Sequence, residues 1–216
     1  MPVKISHVVW DWNGTLLHDN EIVLAAVNEV FVGLGGTAIT WPDWQAAYTR
    51  PMRVSYETVL SRSLTEPEWA QVDKLYHDRY DALLAKSGLA EGTLDVLLGV
   101  AESGRTQSLL SMWFHDRLTP TIDEYGLAPH FTRVDGLVAE VGGGSKAESL
   151  VRHLEAQRLD PADVVLIGDV VDDADAARAA GAGSILVSTG AMSREALEAT
   201  GSLVTDSIQE AVALLK

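Results

Sequence analysis

Val8-Val9-Trp10-Asp11-Trp12-Asn13-Gly14-Thr15 is the stretch on which the reading of this chain turns. An apolar run ends in a carboxylate and a glycine-containing turn, which puts Asp11 at the carboxyl end of a strand. In an open α/β sheet, ligands bind outside those ends. The pattern returns far along the chain, where Val164-Val165-Leu166-Ile167-Gly168 leads into Asp169, followed by Asp172 and Asp173. Two distant strand ends that both present carboxylates predict one shared divalent-cation site.

Working outward, short β-branched runs recur at 109–110, 164–167, 184–187 and 203–204. Ala/Leu-rich helical segments lie between them, at 147–156 and 173–180. Alternation of this kind builds a parallel sheet from βαβ units. Gly181 suits the stop of the second helix, and Asp172 and Asp173 suit its positive N-terminal end. Residues 20–87 read differently. Trp69, Val72, Tyr76, Tyr80, Leu83 and Leu84 recur at three- and four-residue steps, the stripe of an amphipathic helix, and 21–34 behaves similarly before Gly35-Gly36. Trp41-Pro42, Arg50-Pro51 and Glu66-Pro67 punctuate this stretch into about four helices. The expected architecture is an α/β, Rossmann-like parallel sheet flanked by helices, spanning 1–17 and 88–216. A helical cap is inserted at 18–87.

The 216 residues are 47% hydrophobic, enough for a large core, and carry a formal net charge of −15. Nucleic acid and anionic membranes are attracted by clustered Lys and Arg, so neither is an expected partner. Any phosphorylated ligand must be gripped locally rather than by a broad positive field. With no cysteine in the chain, thiolate metal sites, Cys nucleophiles and disulfides are excluded together. No apolar run approaches the roughly 20 residues that span a bilayer. The residues before Asp11 leave no room for a signal sequence, and a cytoplasmic chain is the expectation.

These residues carry a family resemblance. Asp11-Trp12-Asn13-Gly14-Thr15 resembles the first motif of the haloacid dehalogenase (HAD) superfamily, whose phosphatase form is Asp-x-Asp-Gly-Thr. Leu109-Leu110-Ser111 resembles the second motif and Lys146 the third. Gly168-Asp169 through Asp173 resembles the fourth, and the helical insert is similar to the cap of phosphoglycolate phosphatase-like members. The resemblance implies a hydrolase acting on a small phosphorylated metabolite, with Asp11 as nucleophile forming an aspartyl-phosphate. It implies Mg²⁺ held by the Asp11 and Asp169 side chains and the residue-13 backbone carbonyl. Lys146 would balance the nucleophile's charge and contact the phosphoryl oxygens. The Ser111 hydroxyl and the turn amides near Gly14 and Thr15 would donate hydrogen bonds to those oxygens. Asp173, with Asp172, is expected to orient the metal water or Lys146.

The chain departs from that pattern at position 13. The family's second aspartate protonates the leaving oxygen and later activates water, and Asn13 cannot exchange a proton in that way. Acid–base catalysis is worth roughly 10²–10⁴ in rate. Three readings stay open: a substrate whose leaving group needs little protonation, a substitute acid such as His18, or a nearly inactive phospholigand-binding protein. Met112-Trp113-Phe114 follows Ser111 where relatives commonly have Asn, and Met112 is a candidate for shaping the substrate pocket. Gly142-Gly143-Gly144 before Lys146 lacks the order of a P-loop and reads as a mobile approach to the lysine. Arg50 is a candidate substrate contact from the cap, although cap ion pairs are the ordinary role for it and for Arg53. The six histidines lack metal-ligand spacing and read as surface or packing residues, as do the cap tryptophans Trp41, Trp44 and Trp69.

Overall fold

A computed structural model of the protein describes residues 5–138 and 145–215. The elements run β1 (His7–Trp10), β2 (Leu17–His18), α1 (Asn20–Gly33), α2 (Trp41–Ala47), α3 (Met52–Leu60), α4 (Glu66–Leu83), β3 (Gly88–Leu89), α5 (Thr93–Glu102), β4 (Thr106–Phe114), α6 (His115–Glu124), β5 (Val134–Leu137), α7 (Lys146–Gln157), β6 (Val164–Gly168), α8 (Val171–Ala180), β7 (Gly183–Val187), α9 (Arg194–Glu198), β8 (Leu203–Thr205) and α10 (Ile208–Ala213). Six strands form one parallel sheet in the order β5-β4-β1-β6-β7-β8. The chain builds outward from β1 to one side, then returns beside it and builds to the other. The strand order therefore reverses at β1, and that crevice is where such sheets bind ligands.

β1 and β6 are buried along their whole length, which is why both read as unbroken apolar runs. Under one face of the sheet, Val9, Leu110, Val164 and Leu166 pack with Leu150 and Leu154 of α7 and with Ala176 and Ala177 of α8. The small alanines let α8 lie close to the strands. Local chemistry sets the helix ends. Ser145 caps α7 by accepting the Glu148 amide at 3.2 Å, and α8 stops at Gly181, whose φ of +82° is left-handed.

The chain falls into two compact units: Met1–Leu17 with Leu89–Gly190 and Arg194–Lys216, and His18–Gly88 with Ala191–Ser193. The second unit is built on α1 to α4. α1 buries Ile22, Ala26, Val27, Val30 and Phe31, and Val27, Val30 and Phe31 pack with Trp44, Tyr56, Leu64 and Val72 in its core. Thr40 with Asp43, and Thr65 with Glu68, form capping boxes at the starts of α2 and α4. Trp41 and Trp69 pack against the same core as Trp44. Among the described residues, no helix is long and apolar enough to cross a membrane. The glycine run 142–144 lies outside the described residues.

Candidate active site

Strand register assembles the site. Trp10 lies level with Leu109 on one side and Ile167 on the other, and the Asp11 amide extends the ladder by donating to Ile167 O at 2.9 Å. Asp11 and Asp169 therefore lie just past the ends of β1 and β6, with Ser111 beside them inside β4, which runs on to Phe114, although 158 positions separate the first from the last. Lys146 is the first residue of α7, where its Nζ lies 2.5 Å from Asp11 Oδ1 and also pairs with Asp173 Oδ1. All four of Asp11, Lys146, Asp169 and Asp173 are buried.

Each carboxylate is aimed by its neighbours. Asp173 Oδ2 accepts the Asp169 and Val170 amides, both at 3.1 Å, so both of its oxygens are committed, one to the start of α8 and one to Lys146. Asp169 is fixed differently. Thr15 Oγ1 donates to its Oδ1 at 3.4 Å, and two glycines close on its other oxygen. A Cβ added at Gly14 would come within 2.5 Å of Asp169 Oδ2, and one at Gly190 within 1.9 Å. Thr189 Oγ1 donates to Gly14 O at 3.1 Å, tying the loop after β7 to the turn after β1. Thr189 and Gly190 were not singled out from the sequence. Their one signal is position, immediately beyond the carboxyl end of an apolar strand.

One oxygen from each of Asp11, Asp169 and Asp173 lies within 4.8 Å of the others, and the Lys146 ammonium is shared between two of these carboxylates. Burial pushes Asp11 up to about 6, and nearby Asp173 adds to this, while Lys146 pulls the other way. Burial alone would lower Lys146, but Asp11 and Asp173 hold it above the usual lysine range. The cluster is short of positive charge, and its donors are all hard carboxylate oxygens. Such a donor set suits a hard divalent cation. Each of the three offers one oxygen to a shared point, and those of Asp173 also receive two amides and Lys146.

The other expected residues fall as follows. Asn13 is half-buried in the turn and bridges to Leu17 through its backbone. The Gly14 amide donates to Leu17 O at 3.0 Å and the Thr15 amide to Trp12 O at 3.2 Å. Both make hydrogen bonds within the turn itself. Ser111 is buried at the end of its apolar run, and its Oγ accepts the Trp113 amide at 3.1 Å. Met112 is half-buried on β4, and Trp113 is more buried than Phe114. Arg50 and Arg53 belong to the second unit. Arg53 is paired with Glu57 at 3.1 Å and Glu66 at 2.6 Å, and Arg50 is exposed on the loop before α3. His18 is exposed at the end of β2.

Residues 143–211 match the family model for HAD-hydrolase-like proteins. The architecture matches a haloacid dehalogenase-like family hydrolase from Streptococcus pneumoniae at a TM-score of 0.83 and 18% identity, covering 99% of each chain. Its fold is similar to that of HAD-like hydrolases. A predicted phosphatase from Clostridium acetobutylicum gives a TM-score of 0.83 at 18% identity over 98% of each chain. A predicted phosphoglycolate phosphatase from Haemophilus somnus gives 0.80 at 14% over 100% of each. No curated protein matches the sequence significantly. The HAD-like match takes in Lys146, Asp169 and Asp173 but not Asp11 or Asn13. The expected nucleophile and the position of the expected proton-exchanging residue lie outside the matched stretch.

Proposed function

We propose that this chain is a phosphatase-type hydrolase that uses Mg²⁺ to move a phosphoryl group from a small phosphorylated metabolite to Asp11 and then to water. The observation that carries this reading is the buried, charge-deficient cluster of Asp11, Asp169 and Asp173 around the single ammonium of Lys146. Phosphatases among the structures of the same fold support it. An oxygen of Asp11 attacks phosphorus while the bond from phosphorus to the leaving oxygen breaks. Water then cleaves the acyl phosphate and restores the carboxylate. When bound, the cation offsets the phosphoryl charge, held by Asp11 and Asp169 with the backbone carbonyl of Asn13. Lys146 holds Asp11 ionised and in place, and the Ser111 hydroxyl donates toward the phosphoryl oxygens.

Asn13 favours a second reading. Its carboxamide neither protonates the leaving oxygen nor activates water, and a chain built this way binds phosphorylated ligands with little turnover. One panel separates the two: acetyl phosphate, p-nitrophenyl phosphate and several alkyl phosphates, with Mg²⁺ or EDTA, on wild type and Asp11→Asn. Phosphate release that EDTA and Asp11→Asn both abolish supports the enzyme, and release that survives either one overturns the mechanism. A silent panel together with a higher melting temperature on adding the same compounds supports the binder.

A further inference from the structure

Asn13 is followed by Gly14, and that order bears on how long its amide lasts. The chain has three asparagines, and the other two, Asn20 and Asn28, are each followed by glutamate. In an open chain the backbone nitrogen of the next residue attacks the asparagine side chain, and glycine, with no Cβ, obstructs that attack least. The Gly14 nitrogen would bond to Asn13 Cγ, the carboxamide nitrogen would leave as ammonia, and a five-membered imide would remain. Water then opens the ring at one of its two carbonyls. One opening leaves an ordinary aspartate at position 13. The other leaves an isoaspartate, in which the backbone runs through the former side chain. In sum, one carboxamide and one water become one carboxylate and one ammonium.

The folded turn holds the attacking nitrogen out of this reaction. The Gly14 N–H donates to Leu17 O at 3.0 Å, and Asn13 bridges to Leu17 through its backbone. Trp12 O accepts the amides of Thr15, Leu16 and Leu17 at 3.2, 3.0 and 2.9 Å, so the chain on both sides of the pair closes on itself. Gly14 is buried, with a left-handed φ of +73°. Its far side is held as well. Thr189 Oγ1 donates to Gly14 O at 3.1 Å, and a Cβ at Gly14 would come within 3.1 Å of Gly190 Cα and 2.5 Å of Asp169 Oδ2. To close the ring, the Gly14 nitrogen must give up Leu17 O and turn its peptide plane toward the Asn13 side chain. That turn changes the Gly14 φ while Asp169 and Gly190 crowd its Cα and Thr189 holds its carbonyl.

We propose that this turn is a chemical shield: the folded chain keeps the Asn13 amide, and a chain that has been unfolded loses it to a mixture of aspartate and isoaspartate. In the folded state the loss proceeds only through molecules whose turn has opened, so it slows by the share that is closed. The two products differ once the chain refolds. Aspartate leaves the backbone unchanged. Isoaspartate adds a methylene to the backbone just before Gly14 and shifts the amide that meets Leu17 O. Only aspartate restores the carboxylate that the HAD resemblance places at this position. On the phosphatase reading, on which this consequence rests but the shield does not, refolded material gains a turnover that the fresh chain lacks.

Two samples of the full chain, one folded and one unfolded in guanidinium chloride, test the shield after storage at mildly alkaline pH and body temperature. Digestion at acid pH and fragment mass spectra then read position 13, with Asn20 and Asn28 as internal references. The folded chain is expected to lose the Asn13 amide at least about tenfold more slowly than the unfolded one, with both reference amides slow in either state. Equal rates at position 13 overturn the shield, and so does an unfolded chain that keeps the amide. Thr189→Val, with no hydroxyl to donate, is expected to lose the amide faster than folded wild type, and Thr189→Ser to match wild type. A folded Thr189→Val as slow as wild type overturns the part given to the loop after β7. If Thr189→Val does not fold, hydrogen exchange at the wild-type Gly14 amide decides: protection supports the shield, and exchange at the open-chain rate overturns it. Activity reports on the other reading separately. A refolded chain that carries aspartate at position 13 yet turns over alkyl phosphates no faster leaves the shield standing and overturns the view that the missing acid limits the enzyme.

Discussion

Lys146 Nζ lies 2.5 Å from Asp11 Oδ1, with both side chains almost wholly out of water. The same ammonium also serves Asp173, so Asp11 holds only a share of it. A carboxylate kept ionised in such a place weakens the metal-free fold, because burial raises its carboxyl to about 6 against an ordinary 3.8. Asp11→Asn should therefore stabilise the protein in EDTA by about 1–3 kcal/mol at neutral pH while removing turnover. The sign with pH follows. Between about 4 and about 6 the folded chain binds more protons than the unfolded one, so the advantage of the variant shrinks as pH falls through that window. Urea unfolding across a pH series measures it, and a variant less stable than wild type at pH 7 contradicts the account.

Asp169 owes its position to what its neighbours lack. Gly190→Ala puts a methyl 1.9 Å from Asp169 Oδ2, far inside contact distance, and the carboxylate must move. Gly190 is not among the glycines with left-handed φ, unlike Gly14 at +73°, but the new methyl would also lie 2.4 Å from Asp169 Cβ, so the loop after β7 has to shift along with the carboxylate. The expected outcome is a folded protein whose Mg²⁺ affinity drops at least about tenfold, by analogy with the effect of losing a group that orients a ligand. Calorimetric titration with Mg²⁺ checks this, and unchanged affinity would mean that Asp169 does not hold the ion.

How much of this was legible depends on what each element buries. β1 and β6 are covered on both faces, so their apolar runs ending in Asp11 and Asp169 were plain in the sequence. β5 is half-exposed throughout and contains Asp135 and Gly136, so it carries no strand pattern and escaped notice. α7 and α8 were found nearly to their ends because Gly and Ser caps mark them. β2 and β3 are two residues each, too short for periodicity to register. A buried contact in which Ser108 Oγ lies 2.7 Å from both His7 Nε2 and His153 Nε2 was invisible for another reason. It joins residues 146 positions apart that share no spacing rule, and only the register of β1 on β4 under α7 brings them together.

Asn13 supplies the kinetic test. If phosphorus is attacked by Asp11 and the missing proton limits the rate, Asn13→Asp should raise turnover of alkyl phosphates by roughly 10²–10⁴. Acetyl phosphate, whose leaving carboxylate needs no proton, should gain far less in its first step. The ratio of the two gains is the informative quantity, since an altered metal site would move both alike. Equal gains on the two substrates, or none on alkyl phosphates, would show that leaving-group protonation does not limit this chain.

Asp169 and Asp173 are four residues apart and both buried, yet they should respond oppositely to loss of charge. Asp173 makes its contacts in the resting fold: two amides at the start of α8 and the Lys146 ammonium. In Asp173→Asn, an amide nitrogen replaces one accepting oxygen, and Lys146 is left with half its counter-charge. What Asp11 does not have is the pair of amide bonds at the start of α8, and weakening such charge-assisted bonds costs about 1.5–3 kcal/mol, which added Mg²⁺ should not recover. Asp169 accepts the Thr15 hydroxyl at 3.4 Å and brings an oxygen within 4.8 Å of oxygens of Asp11 and Asp173, so its charge crowds two others in the metal-free fold. Asp169→Asn should leave stability in EDTA equal or higher and abolish the rise in melting temperature that Mg²⁺ gives the wild type. Melting curves of both variants with and without Mg²⁺ form the complete test. If Asp169→Asn proves the destabilised one and Asp173→Asn loses only the metal response, the roles assigned to the two carboxylates must be exchanged.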